Sequence, residues 1–179
     1  MIDLGGNPWF WRESGIPCKV LVVNIDITVS ENKESYEPQI KVVKGDATQL
    51  SYENASFDIV YSNSLIEHLG TWETQQKFAN EARRLGKQLW IQTPSRWFPI
   101  EPHFITPFIH YLPKWVQKHL VCWFTLWGWE SKPTTQQTVK FLAEIRLLTY
   151  REMQTLFPDC KIIRERILGL TKSYIAVRC

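Results

Sequence analysis

Apolar and polar positions along this chain alternate between strand-like and helix-like patterns. Residues 18–27 (CKVLVVNIDI) form an almost continuous β-branched run, typical of a strand buried on both faces. Residues 72–85 carry apolar side chains at helical spacing, and Gly86 follows them. Residues 30–38 are polar and predict a loop or a short helix. Further strands are predicted at residues 1–4, 40–43, 57–62, 88–92, 160–165 and 172–178, and further helices at 8–14, 64–69 and 149–157.

This alternation predicts an α/β fold: a Rossmann-like, mainly parallel sheet with helices on both faces. The last two strands flank Gly169 and predict a C-terminal antiparallel hairpin. Residues 97–148 interrupt the pattern with an aromatic, largely helical insertion placed before the last helix and the hairpin. No linker composition divides the 179 residues, so we expect a single domain over 1–179.

Composition narrows the class of protein. Hydrophobic residues make up 44% and charged residues 22%, which is typical of a globular chain. The net charge of +3 is too small to indicate nucleic-acid binding. The four cysteines form no C-x-x-C pair, which predicts no metal site and favours a reduced, cytoplasmic location. The longest apolar stretch, 120–129, is far shorter than the roughly 20 residues of a membrane-spanning helix.

Polar residues collect where the predicted parallel strands end. Asp3-x-Gly5-Gly6-Asn7 follows the first strand, and a glycine turn there lets the backbone approach a nucleotide-like ligand. Asp26 ends the second strand, at the spacing where a carboxylate receives both ribose hydroxyls. Asp46 ends the third strand. Each piece alone also fits an ordinary turn or a solvated strand end.

In their order and spacing these pieces resemble the class I S-adenosylmethionine-dependent methyltransferases, from Asp3 to about Pro94. The resemblance implies S-adenosyl-L-methionine as the cofactor. Asp3 would face its amino end, Asp26 its ribose and Asp46 its adenine. The implied cofactor-binding residues are Asp3, Gly5, Gly6, Asn7, Asp26, Ile27, Asp46, Ala47, Ser62 and Asn63. The family usually has a glycine where this chain has Asn7, but asparagine tolerates left-handed backbone better than most residues.

The implied reaction needs alignment of the acceptor more than it needs acid–base chemistry, because a sulfonium methyl group is already activated. The candidates for positioning or for a general base are His68, Glu101 and His103. Two alternatives stay open: His68 can be a packed structural histidine, and Glu101 can simply pair with Arg96. The acceptor is expected to be a small molecule or lipid-like, with its reacting atom unspecified.

Aromatic residues are dense at 104–129 and are interleaved with Lys114, Lys118 and His119. Three interpretations compete. The segment can be a lid over an apolar pocket, an amphipathic surface in peripheral contact with a membrane, or a homodimer face or core extension. Stacking of nucleic-acid bases is disfavoured, because no basic stripe extends beyond this segment.

Only Met1 and Ile2 precede Asp3, which predicts a truncated first strand, weak cofactor binding and dimerisation over the exposed surface. Two other functions remain open. One is a degenerate methyltransferase fold that binds ligands or partners without turnover. The other is a different nucleotide-dependent enzyme such as a dehydrogenase, which the missing G-x-G-x-x-G pattern disfavours.

Overall fold

The computed structural model describes residues 1–25, 39–101 and 106–179. Seven strands form one sheet in the order β3-β2-β1-β4-β5-β9-β8, and two short strands form a separate ladder. The strands are β1 (Ile2–Leu4), β2 (Val20–Asn24), β3 (Ile40–Lys44), β4 (Phe57–Asn63), β5 (Gly86–Pro94), β6 (Ile100–Glu101), β7 (Thr106–Pro107), β8 (Lys161–Ile167) and β9 (Leu170–Arg178). The first five run parallel and β8–β9 is an antiparallel hairpin, so the predicted fold class is confirmed.

Helices connect the strands and fill the insertion. They are α1 (Pro8–Ser14), α2 (Trp72–Leu85), α3 (Lys114–Phe124), α4 (Leu126–Ser131), α5 (Thr135–Glu144) and α6 (Tyr150–Leu156), with one-turn 3-10 helices at Ile66–Leu69 and Ile109–Tyr111. Within the described ranges, none of these helices has the length and apolar character needed to cross a membrane.

Strand β1 lies at the centre of the sheet although it is only three residues long. It pairs with β2 on one side and with β4 on the other. All three of its side chains are buried, because the pleat directs Ile2 and Leu4 to one face and Asp3 to the other. A carboxylate therefore lies in the middle of the sheet, one residue before the strand ends.

The two faces of the sheet are covered by different helices. On the face of Ile2 and Leu4, α2 and α6 supply Phe78 and Met153 to the main core. On the face of Asp3, α1 packs Trp11 against a smaller cluster that includes Val22. Among the described residues, α1 is the helix that covers the Asp3 face of the sheet, and it does so mainly through Trp11.

Two strands, β2 and β5, differ from the sequence prediction at their first residues. Strand β2 begins at Val20 instead of Cys18, because its ladder with β3 starts at the Val20–Ile40 pair. Its predicted end at 26–27 and the loop or helix at 30–38 lie outside the described residues. Strand β5 begins at Gly86, directly after α2, instead of at Gln88, and Gly86 has φ −99°. A methyl group on Gly86 would lie 2.7 Å from Val60, so close packing against β4 requires the glycine.

The insertion contains the predicted helices and also the β6–β7 ladder, which the sequence did not predict. Its helical part has a small core of its own, formed by Ile109, Val121 and Leu142. Buried Gln75 of α2 joins the end of the insertion to the main core, since its amide donates to the carbonyls of Ile66 and Arg146, both at 2.9 Å.

Helix α6 begins as the sequence predicts. Thr149 and Glu152 form a reciprocal capping box, in which each side chain bonds the other residue's backbone. This cap fixes the point where the chain leaves the insertion and returns to the sheet.

Candidate active site

The loops that follow β1, β3 and β4 lie along one edge of the sheet. The Gly5 amide donates to the Val23 carbonyl at 2.8 Å, and the Gly45 amide donates to the Asn24 carbonyl at 3.0 Å. After β4, the Ser64 amide donates to the Gln92 carbonyl at 3.1 Å. Parallel strands end at the same edge, which is where such folds bind their ligands.

Asp3 is the most unusual group at this edge. Its side chain is buried, and Oδ2 accepts a 2.6 Å hydrogen bond from the indole Nε1 of Trp11. Its Oδ1 is also buried and makes no hydrogen bond to any described residue. Burial raises the pKa of Asp3 from its ordinary value of 3.8 to about 6, although the Trp11 bond opposes the rise. A buried acceptor without a protein donor suits a cationic or hydrogen-bonding ligand.

The two glycines after β1 are required by this geometry. Gly5 has φ +79°, a conformation that other residues adopt only with strain. A methyl group on Gly6 would lie 1.7 Å from Asp3 Oδ2, so no side chain fits between that backbone and the carboxylate. The backbone of the turn therefore packs directly against the Asp3 carboxylate.

Asn7 does not use the left-handed conformation that asparagine tolerates. It is extended, with φ −114°, and its side chain caps α1 by accepting from the Trp9 amide at 3.0 Å. Pro8 then occupies the first helical turn. The turn thus ends by starting a helix where the family usually has a further glycine.

Trp11 is the site residue that sequence reasoning missed. Its ring packs edge-on against Tyr61, with centroids 5.0 Å apart, while its indole N–H bonds Asp3. Burial and the charge of Asp3 raise the pKa of Tyr61. A chemical argument could have found this contact. A buried indole N–H needs a hydrogen-bond acceptor, and the strand that precedes Trp11 offers the Asp3 carboxylate.

The loop after β3 has the ordinary turn structure that the sequence left open. Asp46 is exposed, and its Oδ1 accepts from the amide and the hydroxyl of Thr48 at 2.8 and 2.7 Å. Ala47 is buried in the main core. Asp26 and Ile27, predicted to bind the ribose, lie outside the described residues.

The end of β4 leads to a cavity of about 330 Å³. Ser62 is buried, and its hydroxyl donates to the Leu4 carbonyl at 2.8 Å, so it ties β4 to β1. The next residue, Asn63, is exposed and lines the cavity together with Gln92 of β5. The insertion contributes two apolar wall residues, Phe98 and Ile100.

The three candidate positioning or base residues are only partly described. His68 is half-buried in the 3-10 helix that follows β4. Its neighbour Glu67 is fully buried, and Oε2 accepts from the Thr93 hydroxyl at 2.9 Å. The side chain of Glu101 and all of His103 lie outside the described residues, so the alternative pairing of Glu101 with Arg96 stays a prediction.

A mainly parallel sheet, a buried acid before a glycine turn and a hairpin at the end of the chain define a Rossmann-like fold. Residues 7–88 match the family model described as a methyltransferase domain. No curated protein matches the sequence. The matched segment, 82 of the 179 residues, coincides with the part of the chain whose motifs resemble the class I S-adenosylmethionine-dependent methyltransferases.

Solved structures share this fold at low sequence identity. An S-adenosylmethionine-dependent methyltransferase from Methanosarcina mazei is 12% identical, with a TM-score of 0.58 over 98% of this chain and 89% of that one. Human N-acetylserotonin methyltransferase, solved with S-adenosylmethionine, is 15% identical with a TM-score of 0.57, over 99% and 46%. Magnesium protoporphyrin IX methyltransferase from Synechocystis PCC 6803, solved with S-adenosylhomocysteine, is 12% identical with a TM-score of 0.56, over 99% and 73%.

Proposed function

We propose that this methyltransferase transfers the methyl group of S-adenosyl-L-methionine to a small-molecule or lipid-like acceptor held in the 330 Å³ cavity. The observation that carries the proposal is the buried, unpaired Oδ1 of Asp3 beside the Gly5–Gly6 turn. It fits the cationic amino end of the cofactor, whose ammonium would give that oxygen its donor.

The other cofactor contacts are proposed from the same edge of the sheet. Asp26 and Ile27 would hold the ribose end, and Asp46 with Ala47 the adenine. The two described hydrogen bonds of Asp46 are both accepted by Oδ1, so Oδ2 can accept one from the adenine amino group. When bound, the cofactor supplies a methyl group that its sulfonium has already activated.

The cavity beside Asn63 suits a small acceptor molecule with an apolar part. Phe98 and Ile100 offer apolar walls, whereas Asn63 and Gln92 offer amides that can orient a polar group. Lys172 also lines the cavity, but its ammonium is paired with Glu165 at 3.0 Å. We therefore expect the acceptor to be recognised by shape and hydrogen bonds more than by net charge.

Positioning is favoured over proton transfer for His68, Glu101 and His103. His68 is absent from the described residues that line the cavity. If a base is used, replacing it with glutamine will remove a titration step from the pH dependence of turnover. If the residue only positions the acceptor, the same replacement will change the rate and leave the shape of that profile unchanged.

Calorimetric titration with S-adenosylmethionine and S-adenosylhomocysteine, with NAD as a control ligand, tests the proposal. We expect both sulfur ligands to bind, and Asp26→Ala and Gly6→Ala to weaken binding at least about tenfold, by loss of a charge-assisted contact and by displacement of Asp3. Asp58→Ala is the matched control, because Asp58 is exposed and pairs only with Lys87 among the described residues.

Two outcomes would separate the alternatives. Equal affinity in all variants, or binding of NAD alone, would overturn the cofactor assignment. Binding of the sulfur ligands without release of S-adenosylhomocysteine across a panel of small hydroxyl and amine acceptors would favour the degenerate, non-catalytic alternative. For any acceptor that is found, Ile100→Trp is expected to block turnover by filling the cavity while cofactor affinity stays unchanged.

A further inference from the structure

A second cavity, of about 170 Å³, lies in the insertion where it meets Arg96, just after β5. Three cationic side chains from separate parts of the chain line it. Arg96 follows β5, Lys114 opens α3, and Arg146 lies between α5 and α6. No aspartate or glutamate is among the described residues that line this cavity, so positive charge dominates its interior.

Two of these cations are held in place by their surroundings. The Arg146 guanidinium bonds Gln75 at 2.7 Å, pairs with Glu152, and lies 5.0 Å from the centre of the Trp72 ring. Lys114 Nζ donates to the Leu142 carbonyl at 2.8 Å. An ammonium has three donors, and the other two of Lys114 have no partner in the described part of the chain.

Arg96 and Lys114 carry charges that no acid among the described residues offsets. Glu152 pairs with Arg146 and offsets the charge of that residue alone. Arg96 is exposed, and its guanidinium has no hydrogen bond to another described residue, so its donors are available at the cavity mouth. A planar guanidinium presents paired N–H groups that match two oxygens of one anion.

The remaining walls strengthen electrostatic attraction. Leu142, Ile145 and Leu147 are apolar, which lowers the local dielectric and makes each charge contact stronger than in water. Gln117 is a buried polar wall residue, and its amide N–H₂ donates to the Leu112 carbonyl at 2.6 Å. The cavity thus combines apolar walls with two cations that no described acid offsets.

We propose that this cavity binds a phosphate group, either as free phosphate or as part of a larger phosphomonoester, through Arg96 and Lys114. The site is independent of the proposed function, because it shares no lining residue with the Asp3–Gly6 turn or with the acceptor cavity. A ligand held there would bridge the insertion and the main domain.

Calorimetry and thermal unfolding with inorganic phosphate at constant ionic strength test the proposal, with glycerol 3-phosphate as the phosphomonoester. We expect phosphate to bind and to raise the melting temperature of the unaltered chain. Arg96→Gln and Lys114→Gln should each weaken phosphate at least about tenfold, the usual cost of one charge-assisted contact. Lys118→Gln is the matched control, since Lys118 lies on α3 outside the cavity.

The outcomes are distinct from those of the cofactor titration, because S-adenosylmethionine affinity should be the same in all three variants. Tighter binding of glycerol 3-phosphate than of phosphate would assign the site to a phosphomonoester, and equal binding to the free ion. No phosphate effect, or an equal effect in every variant, would overturn the proposal. If circular dichroism shows that Lys114→Gln is misfolded, the exposed Arg96→Gln carries the test alone.

Discussion

At the scale of single residues, the burial of Asp3 has an energetic cost. A carboxylate in the centre of the sheet loses its hydration, and the Trp11 indole supplies only one hydrogen bond in return. Its pKa of about 6 means that the folded chain holds a proton which the unfolded chain has already released above its ordinary 3.8. Burial of this acid therefore destabilises the ligand-free protein at neutral pH.

We expect Asp3→Asn to stabilise the ligand-free protein at pH 8 by up to about 3 kcal/mol, the value of the pKa difference. For a raised carboxyl pKa, native stability is highest below about pH 4 and falls as pH rises to about 6. The stability difference between the variant and the unaltered chain should therefore grow through that window. Chemical unfolding at a series of pH values measures it.

Asp58→Asn serves as the control for this measurement. Lys87 lowers the pKa of Asp58, so its replacement should give no such change between pH 4 and 6. An Asp3→Asn difference that is flat with pH would contradict the account of burial. The same variant should bind S-adenosylmethionine more weakly, which would show that the destabilising charge serves the ligand.

At the scale of elements, the turn between β8 and β9 holds a leucine in a strained backbone conformation. Leu168 and Gly169 both have positive φ, at 50° and 81°, which is the pattern of a type I′ hairpin turn. Glycine adopts this conformation freely, but leucine does not, and the Leu168 side chain is 97% exposed. Leu168 therefore bears the strain of the turn without contributing to a core.

Leu168→Asn is expected to stabilise the protein by about 1 kcal/mol, because asparagine tolerates left-handed backbone. For a chain of this size that corresponds to a rise in melting temperature of about 2–4 °C. Leu170→Asn is the matched control: it also removes an exposed leucine, but from strand β9, and should not stabilise. A similar rise in melting temperature in both variants would show that the gain comes from removing an exposed leucine and not from the geometry of the turn.

Local signals also explain which elements the sequence could predict. The observed bounds of α2 match the predicted 72–85. The Thr71 cap marks where the helix begins, and the apolar side chains at helical spacing extend along its length. The β6–β7 ladder was not predictable, since two-residue strands have no period and depend on tertiary contacts. Gly86 was interpreted from its position after a helix, whereas its actual constraint is the nearby Val60 side chain.

The candidate site follows the same division. The Asp3–Gly5–Gly6 turn could be predicted because its chemistry is contiguous in sequence. The Trp11–Asp3 bond and the cavity between Asn63 and Phe98 arise only when separate elements meet. Contacts between elements leave no spacing rule in the sequence, so the residues that line this cavity could not be predicted from it.

At the scale of the whole molecule, the insertion buries aliphatic side chains and exposes tryptophans. Ile109 and Val121 face inward, whereas Trp115 and Trp123 of α3 are 69% and 74% exposed. Lys118 and His119 lie between these tryptophans in the sequence, and α3 contains no acidic residue. Of the three interpretations of this segment, peripheral contact with an anionic membrane is the one this outer surface favours, since tryptophan and lysine suit the lipid headgroup region.

We therefore expect the protein to bind vesicles of phosphatidylcholine mixed with phosphatidylglycerol, and to bind pure phosphatidylcholine less well. Trp115→Gln with Trp123→Gln should weaken vesicle partitioning by at least about 2 kcal/mol, because each indole buries a large apolar area. Trp9→Gln is the control, since Trp9 is similarly exposed but lies on α1.

Co-sedimentation measures the partitioning, and light scattering without lipid reports the oligomeric state. Unchanged partitioning in the double variant would exclude this surface, and a dimer that the same substitutions dissociate would assign it to self-association instead.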